Sequence, residues 1–193
     1  MLKYETFVNG LTLVKKCYLG FDISTEDGRA WYEIIKSEIE EEAFLPLVFN
    51  YCKSESVPTC PADLIRFGKK VMTDSAPAPT LVAYALINAT SRLLRSDFMY
   101  DDPSVDEQKE YLLNDLTVHY PEFRNPPLYT VVVALTNEYF EVSIDTVGRN
   151  DATEISILKS ELKSSYRKEL DKTISHTILT TNAIEGMHPL LLR

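Results

Sequence analysis

The chain has 193 residues, 45% of them hydrophobic and 25% charged, a balance that supports one large or two small globular domains without disulfide or metal staples. Its formal charge is −9 at neutral pH, and none of the blocks 1–75, 76–150 and 151–193 is net positive. This disfavours autonomous binding to a nucleic-acid duplex, and the absence of P-loop and dinucleotide-binding glycine signatures excludes the common nucleotide-handling folds.

Helical periodicity runs through the chain. Tyr4, Phe7, Val8, Leu11, Val14, Cys17 and Tyr18 predict an apolar face on a first helix from Lys3 to Leu19, with Gly20 as its C-cap residue. Ser24 followed by Asp27 reads as a capping pair for a second helix, with Trp31, Ile34, Ile35 and Ile39 as its buried stripe. A third helix is expected from Glu41 to Lys53, its start drawn toward Phe44 by Pro46. The glutamates Glu40, Glu41 and Glu42 suit the positive end of its dipole. Thr59 and Pro61 then signal the cap and first turn of a fourth helix to Met72.

Residues 73–79, with two prolines among small residues, are the expected linker between an N-terminal helical bundle, 1–72, and a C-terminal helical domain, 80–180. In the second domain the pattern predicts a helix over Thr80–Arg95, an acidic turn over Asp97–Pro103 and a polar segment capped by Ser104. Asn125 is the expected cap of a helix opening at Pro126. Glu138–Asp145 alternates weakly, as a short strand or irregular loop would. Asp151, with Glu154 three residues on, opens the longest helix, striped by Ile155, Leu158, Leu162, Tyr166, Leu170 and Ile174. Residues 181–193 read as a flexible tail. The expected class is all-α, with the N-terminal four-helix domain joined by the Pro/Ala linker to a mostly helical C-terminal domain.

No run of apolar residues approaches the roughly 20 that a membrane span needs, and no apolar segment follows the N-terminal residues as in a signal peptide. Cys17, Cys52 and Cys60 are an odd, sparse set, which points to a reducing compartment and so to the cytoplasm. Cys17 and Cys52 fall in apolar patterns and read as small core residues. His119, His176 and His188 have no metal-ligand spacing, and no catalytic motif or cofactor signature is present, so the expectation is a non-enzyme with no cofactor.

One ordered set of residues carries more than helix signals. Phe7–Tyr18 is followed by Phe21, Trp31, Tyr51, Val57-Pro58-Thr59 and Ala62-Asp63-Leu64-Ile65. The order resembles the N-terminal domain of phage replicative helicase loader and inhibitor proteins, with Leu19 after Tyr18 where that family carries proline and Val57 in place of the first proline of its turn. In the second half, Pro79-Thr80 with Ala83 and Ala85, and Asn125-Pro126-Pro127-Leu128-Tyr129 with Val132, are similar to later family motifs. Leu162 and Tyr166 stand where the closing helix of the family carries Phe and Tyr.

The resemblance covers Phe7 to Tyr166. It implies an ATP-independent adaptor that binds the hexameric replicative helicase, loads it at an origin or restrains its ATPase, and meets an origin-binding initiator. It also implies a helicase contact in the C-terminal part, for which Leu158, Lys159, Leu162, Lys163, Tyr166 and Arg167 are the candidates. From the spacing alone, Leu158, Leu162, Tyr166 and Leu170 read first as an intramolecular core stripe, with a partner groove as the alternative. An inhibitor of another host replication or transcription factor is the alternative, and a small enzyme with scattered carboxylates is a third class.

Overall fold

The computed structural model describes residues 1–180, so the expected tail 181–193 lies outside the described residues. These residues form eight α-helices and no sheet, an all-α protein: α1 Tyr4–Cys17, α2 Thr25–Ile35, α3 Glu41–Ser54, α4 Pro61–Ser75, α5 Pro79–Leu94, α6 Val105–His119, α7 Leu128–Arg149 and α8 Ala152–His176. Short 3₁₀ turns, Asp97–Asp101 and Pro121–Arg124, flank α6. Among the described residues no helix is long and apolar enough to cross a membrane.

Local capping explains several starts. The Ser24 hydroxyl accepts from the Asp27 amide at 3.0 Å, and Ser104 and Glu107 form a reciprocal capping box at α6. Asp151 accepts from the amides of Thr153 (2.8 Å) and Glu154 (3.1 Å), satisfying two free donors at the start of α8. α3 starts at Glu41 as expected and passes through Pro46 unbroken, so the proline does not draw the start toward Phe44. Other boundaries differ from the sequence reading. The residue preceding α7 is Pro127, after a cis Pro126–Pro127 bond, and Asn125 makes no side-chain cap. The segment Glu138–Asp145 is helical, inside the 22-residue α7. Its buried positions Phe140, Ser143 and Thr146 keep a helical spacing that their polar members hide from a hydrophobicity count.

The chain divides into two compact units. One is Met1–Ser75 with the residues from Ile174 onward; the other is Ala76–Thr173. The observed break therefore follows Ser75, where α4 ends, three residues beyond the expected Met72 boundary. Residues 174–180 belong with the first unit, not with the 80–180 domain drawn from the sequence.

In the first unit α1 lies along α3. Phe7, Val14 and Phe44 are fully enclosed, with the Phe7 and Phe44 rings 5.8 Å apart, and burying each such side chain contributes about 1.5–3 kcal/mol. Gly10 permits this approach, since a methyl group there would overlap the Phe44 ring. Glu41 joins the same two helices, accepting from the Thr6 hydroxyl at 2.9 Å and pairing with Lys3 at 3.1 Å. That is a structural use for the second of the three consecutive glutamates. The expected α2 stripe is narrower than the sequence suggests: Ile35 and Ile39 are buried, Trp31 is half-buried and Ile34 is exposed.

Leu179 closes this unit. Its amide donates to the Glu38 carbonyl at 2.8 Å and its carbonyl accepts from Glu40 at 2.9 Å, a single parallel bridge beside Ile39. Its side chain is fully buried, and it fills the space over Gly68 of α4, where any Cβ would overlap it. The Lys69 ammonium secures the preceding residues, donating to the Ser175 carbonyl at 2.7 Å and to Glu38 at 3.2 Å.

In the second unit α5 packs on α6 and α7. Ala83, Ala85 and Ala89 keep the α5 surface low, and Val82, Leu86 and Leu93 fill the space between. A two-pronged ion pair from Arg92 to Asp115 (Nε to Oδ2 2.9 Å, Nη2 to Oδ2 2.5 Å) joins α5 to α6. The Tyr139 hydroxyl and Ser165 Oγ, 2.6 Å apart, join α7 to α8.

The Leu179 seat gives a direct prediction. Leu179→Ala should destabilise the first unit by about 3 kcal/mol, through lost burial and a cavity against Gly68. Trp31, the single tryptophan, lies in that unit, so its fluorescence during chemical unfolding reports the change. An unchanged unfolding midpoint would contradict the placement of the segment.

Candidate protein-binding site

The turn from Glu55 to Cys60, between α3 and α4, gathers the residues that carried the resemblance. Its shape follows from one carboxylate. Asp63 sits in the first turn of α4, where helix donors are unpaired and an acidic group is favoured. Its Oδ2 accepts from the Thr59 amide (2.8 Å), the Thr59 hydroxyl (3.0 Å) and the Cys60 amide (3.1 Å), and Arg66 approaches Oδ1 at 3.5 Å. The Thr59 hydroxyl thus donates to Asp63, whereas the sequence reading gave it the capping role. The Thr59 amide foremost, then the Thr59 hydroxyl, the Cys60 amide and Arg66, hold the Asp63 carboxyl below the usual aspartate range.

A second tie comes from α1. The Tyr18 hydroxyl donates to the Glu55 carbonyl at 2.9 Å, holding the far end of the turn. Burial, then neighbouring Cys52 and Tyr51, push the Tyr18 phenol up to about 12. Pro58 is buried beneath the turn, while Val57 stands outward, 41% exposed.

Two open clefts flank this tip and share Val57 and Thr59. One, of about 370 Å³, is walled by Tyr51 and Phe67, whose rings meet edge to face at 5.3 Å, and rimmed by Glu55, Arg66 and Lys70. The other, of about 460 Å³, is walled by Phe21 and Trp31, 6.2 Å apart, and rimmed by Asp22 and Asp27. Trp31 is therefore a half-exposed cleft wall and not the enclosed core residue its helical spacing suggests. An apolar tip between aromatic walls, with a mixed rim of ion pairs on one side (Lys70 to Glu55, Arg66 to Asp63) and an anionic rim on the other, has the composition of a small protein-contact patch.

The candidates on α8 separate into two groups. Leu158, Leu162 and Tyr166 are 2%, 1% and 1% exposed, and Leu162 lines a small cavity with Leu86, Leu112 and Leu135 of its own unit. These three are core residues, which corrects their assignment as partner contacts, because a side chain enclosed in its own unit has no surface to offer. Lys159 and Lys163 are half-buried and Arg167 is exposed, so only the cationic members remain at the surface. The Lys159 ammonium lies 5.9 Å from the centre of the Tyr84 ring, which is itself exposed. Among the described residues no three His, Cys, Asp or Glu side chains come together as a metal-binding set.

Sequence reasoning named Asp63 only as part of a motif. Its position in the first turn, after Thr59 and Cys60, was the available signal. Arg66, Phe67 and Lys70 left no comparable signal, since they reach the cleft only through the way α4 leaves the turn. No family model matches the chain, and neither a curated protein nor a solved structure matches it.

The Asp63 geometry predicts a pH-dependent loss. Asp63→Ala should cost about 1–2 kcal/mol at neutral pH, the usual value of such a helix-start acceptor. A carboxyl that is more acidic folded than unfolded contributes fully above the ordinary aspartate range, near pH ~4, and loses that contribution as pH falls through its lower folded value. The gap between wild type and Asp63→Ala in denaturant midpoints should therefore shrink below pH ~4. A gap that stays constant down to pH ~2 would contradict the carboxylate's role.

Proposed function

We propose that this protein is an ATP-independent adaptor that binds a hexameric replicative helicase, acts in the host cytoplasm during phage DNA replication, and presents the helicase to an origin-bound initiator or restrains its ATPase. The observation that carries this reading is a convergence. Phe21, Trp31, Tyr51, Val57-Pro58-Thr59 and Asp63 carry the family resemblance while spread over more than forty positions of sequence, and they border one turn of the first unit. The open form of the clefts supports a protein partner over a small molecule, which is normally enclosed on most sides. Lys159, Lys163 and Arg167 on α8 supply a second, cationic contact for an acidic patch on the partner.

Such an adaptor works by mass action. It must bind one state of the helicase ring better than another, because equal affinity for both would shift nothing. The Val57 tip and its aromatic walls supply the apolar part of that contact, and the charged rims set orientation.

Size-exclusion chromatography with light scattering of the purified protein and helicase, with and without ATP, tests the reading. A complex of defined stoichiometry is expected. Val57→Asp should weaken it at least tenfold, about 1.4 kcal/mol, without changing helical content, since Val57 is exposed on a turn. Separate elution under both nucleotide conditions would contradict the proposal. So would a complex indifferent to Val57→Asp, which would move the contact elsewhere.

A further inference from the structure

The two clefts beside the Val57 tip differ in how their charges are matched. In the cleft walled by Tyr51 and Phe67 each acid has a cation beside it, Lys70 at 3.7 Å from Glu55 and Arg66 at 3.5 Å from Asp63. The cleft walled by Phe21 and Trp31 is lined by Asp22 and Asp27 and by no cationic side chain. Asp27 accepts from the Ser24 hydroxyl at 2.6 Å, and among the described residues no cation pairs with it. Lys15, in the last turn of α1, reaches Asp22 at 3.0 Å, but the two side chains are 65% and 84% exposed, and such a pair is weak. In the same turn Cys17 is exposed, and Cys52 of α3 is half-buried, so neither thiol is the enclosed core residue that the sequence pattern suggested.

The aromatic wall and the acids share one face. Asp27 and Trp31 are four residues apart on α2, so their side chains lie on the same side of the helix. Asp22 follows Phe21 directly in the loop that enters α2, and the Phe21 and Trp31 rings are tilted at 58° with their centroids 6.2 Å apart. Phe21 is buried and backs the cleft, whereas Trp31 is half-exposed and presents its ring to the opening of about 460 Å³. An indole face is the best aromatic partner for a cation, and a carboxylate one helical turn away supplies the counter-charge.

We propose that this cleft receives an arginine side chain of the partner protein, its guanidinium plane laid on the exposed face of Trp31 and its N–H donors turned to Asp27 and Asp22. The proposal rests on the adaptor reading for the source of that arginine, and it adds the chemistry by which the partner is held beside the Val57 tip. A guanidinium stacks on an indole and donates two parallel hydrogen bonds to a carboxylate, and it is more weakly hydrated than an ammonium, so arginine fits better than lysine. The acidic rim repels phosphate and carboxylate groups, and a wholly apolar anchor would leave both aspartates without a counter-charge. Val57 and Thr59 line both clefts, so an arginine seated here adjoins the apolar contact.

Trp31 is the single tryptophan, so its indole N–H gives one signal in the NMR spectrum of the full chain. The probe is a short peptide, acetyl-Gly-Arg-Gly-amide, with the citrulline peptide as its uncharged isostere and the lysine peptide as its ammonium counterpart. Expected are a saturable shift of the Trp31 indole signal with the arginine peptide, none with citrulline, and weaker binding at raised salt. The lysine peptide should bind about threefold more weakly or worse, and Asp27→Asn should weaken the arginine peptide by about the same factor. Asp22→Asn, on the exposed loop, should act in the same direction with unchanged helical content. No saturable shift, an equal shift with citrulline, equal affinity for lysine, or an affinity unchanged by both aspartate variants would overturn the proposal. The titration needs no helicase. A protein that takes the peptide but elutes apart from the helicase keeps the cleft and loses the adaptor reading, and a helicase complex formed by a protein that ignores the peptide does the reverse.

Discussion

The first unit depends on a side chain that arrives last. Leu179 lies more than a hundred residues beyond Gly68, yet it occupies the space that the missing Cβ of Gly68 leaves open and bridges Ile39 through two backbone hydrogen bonds. Those contacts tie the connection between α2 and α3 to α4, the helix that leaves the 55–60 turn. Without that seat, Gly68 would border a void and the amide of Glu40 would lose its protein partner. The Lys69 ammonium, shared between Glu38 and the Ser175 carbonyl, adds a polar clamp at the same place. Exposed ion pairs are individually weak, so the buried leucine dominates.

From that frame the candidate site follows by short steps. α4 starts at Pro61, its first turn needs an acceptor, and Asp63 serves the turn's own donors at Thr59 and Cys60. Tyr18 ties the opposite end of the turn to α1. The result is a turn fixed at both ends, with its proline inward and its valine outward. A rigid apolar tip loses little entropy on binding, which is what makes a small contact patch effective.

The parts legible in the sequence were local. Ser24, Ser104 and Asp151 signal their helix starts because capping involves residues three apart, and the all-α class follows from spacing repeated along the chain. Non-local features were not legible. Leu179 sits in no periodic pattern, and nothing near it in sequence indicates a glycine waiting on α4. Within 138–145 the buried positions of α7 are Phe140 and the polar Ser143, flanked by the buried polar Thr136 and Thr146, so no apolar period shows there. The α8 stripe was ambiguous in principle. Leu158, Leu162 and Tyr166 have the same spacing whether they cover their own core or a partner, and only their burial assigns them to the core. At the candidate site Phe21, Trp31, Tyr51 and Val57-Pro58-Thr59 stand out in the sequence only as motifs of the resemblance, and Trp31 reads as a core residue because a tryptophan at helical spacing usually packs fully, whereas here it walls a cleft beside Phe21.

The central claim is that the return of residues 174–180 closes the first unit, with Leu179 seated against α4, the helix whose first turn carries Asp63. Native-state hydrogen exchange at the amides of Leu179 and Glu40 tests it most directly, since each donates across that closure. The account predicts that both exchange only with unfolding of the unit, at the pace of the α1 and α3 core amides. Exchange of either at the rate of a free, solvent-exposed chain would contradict it.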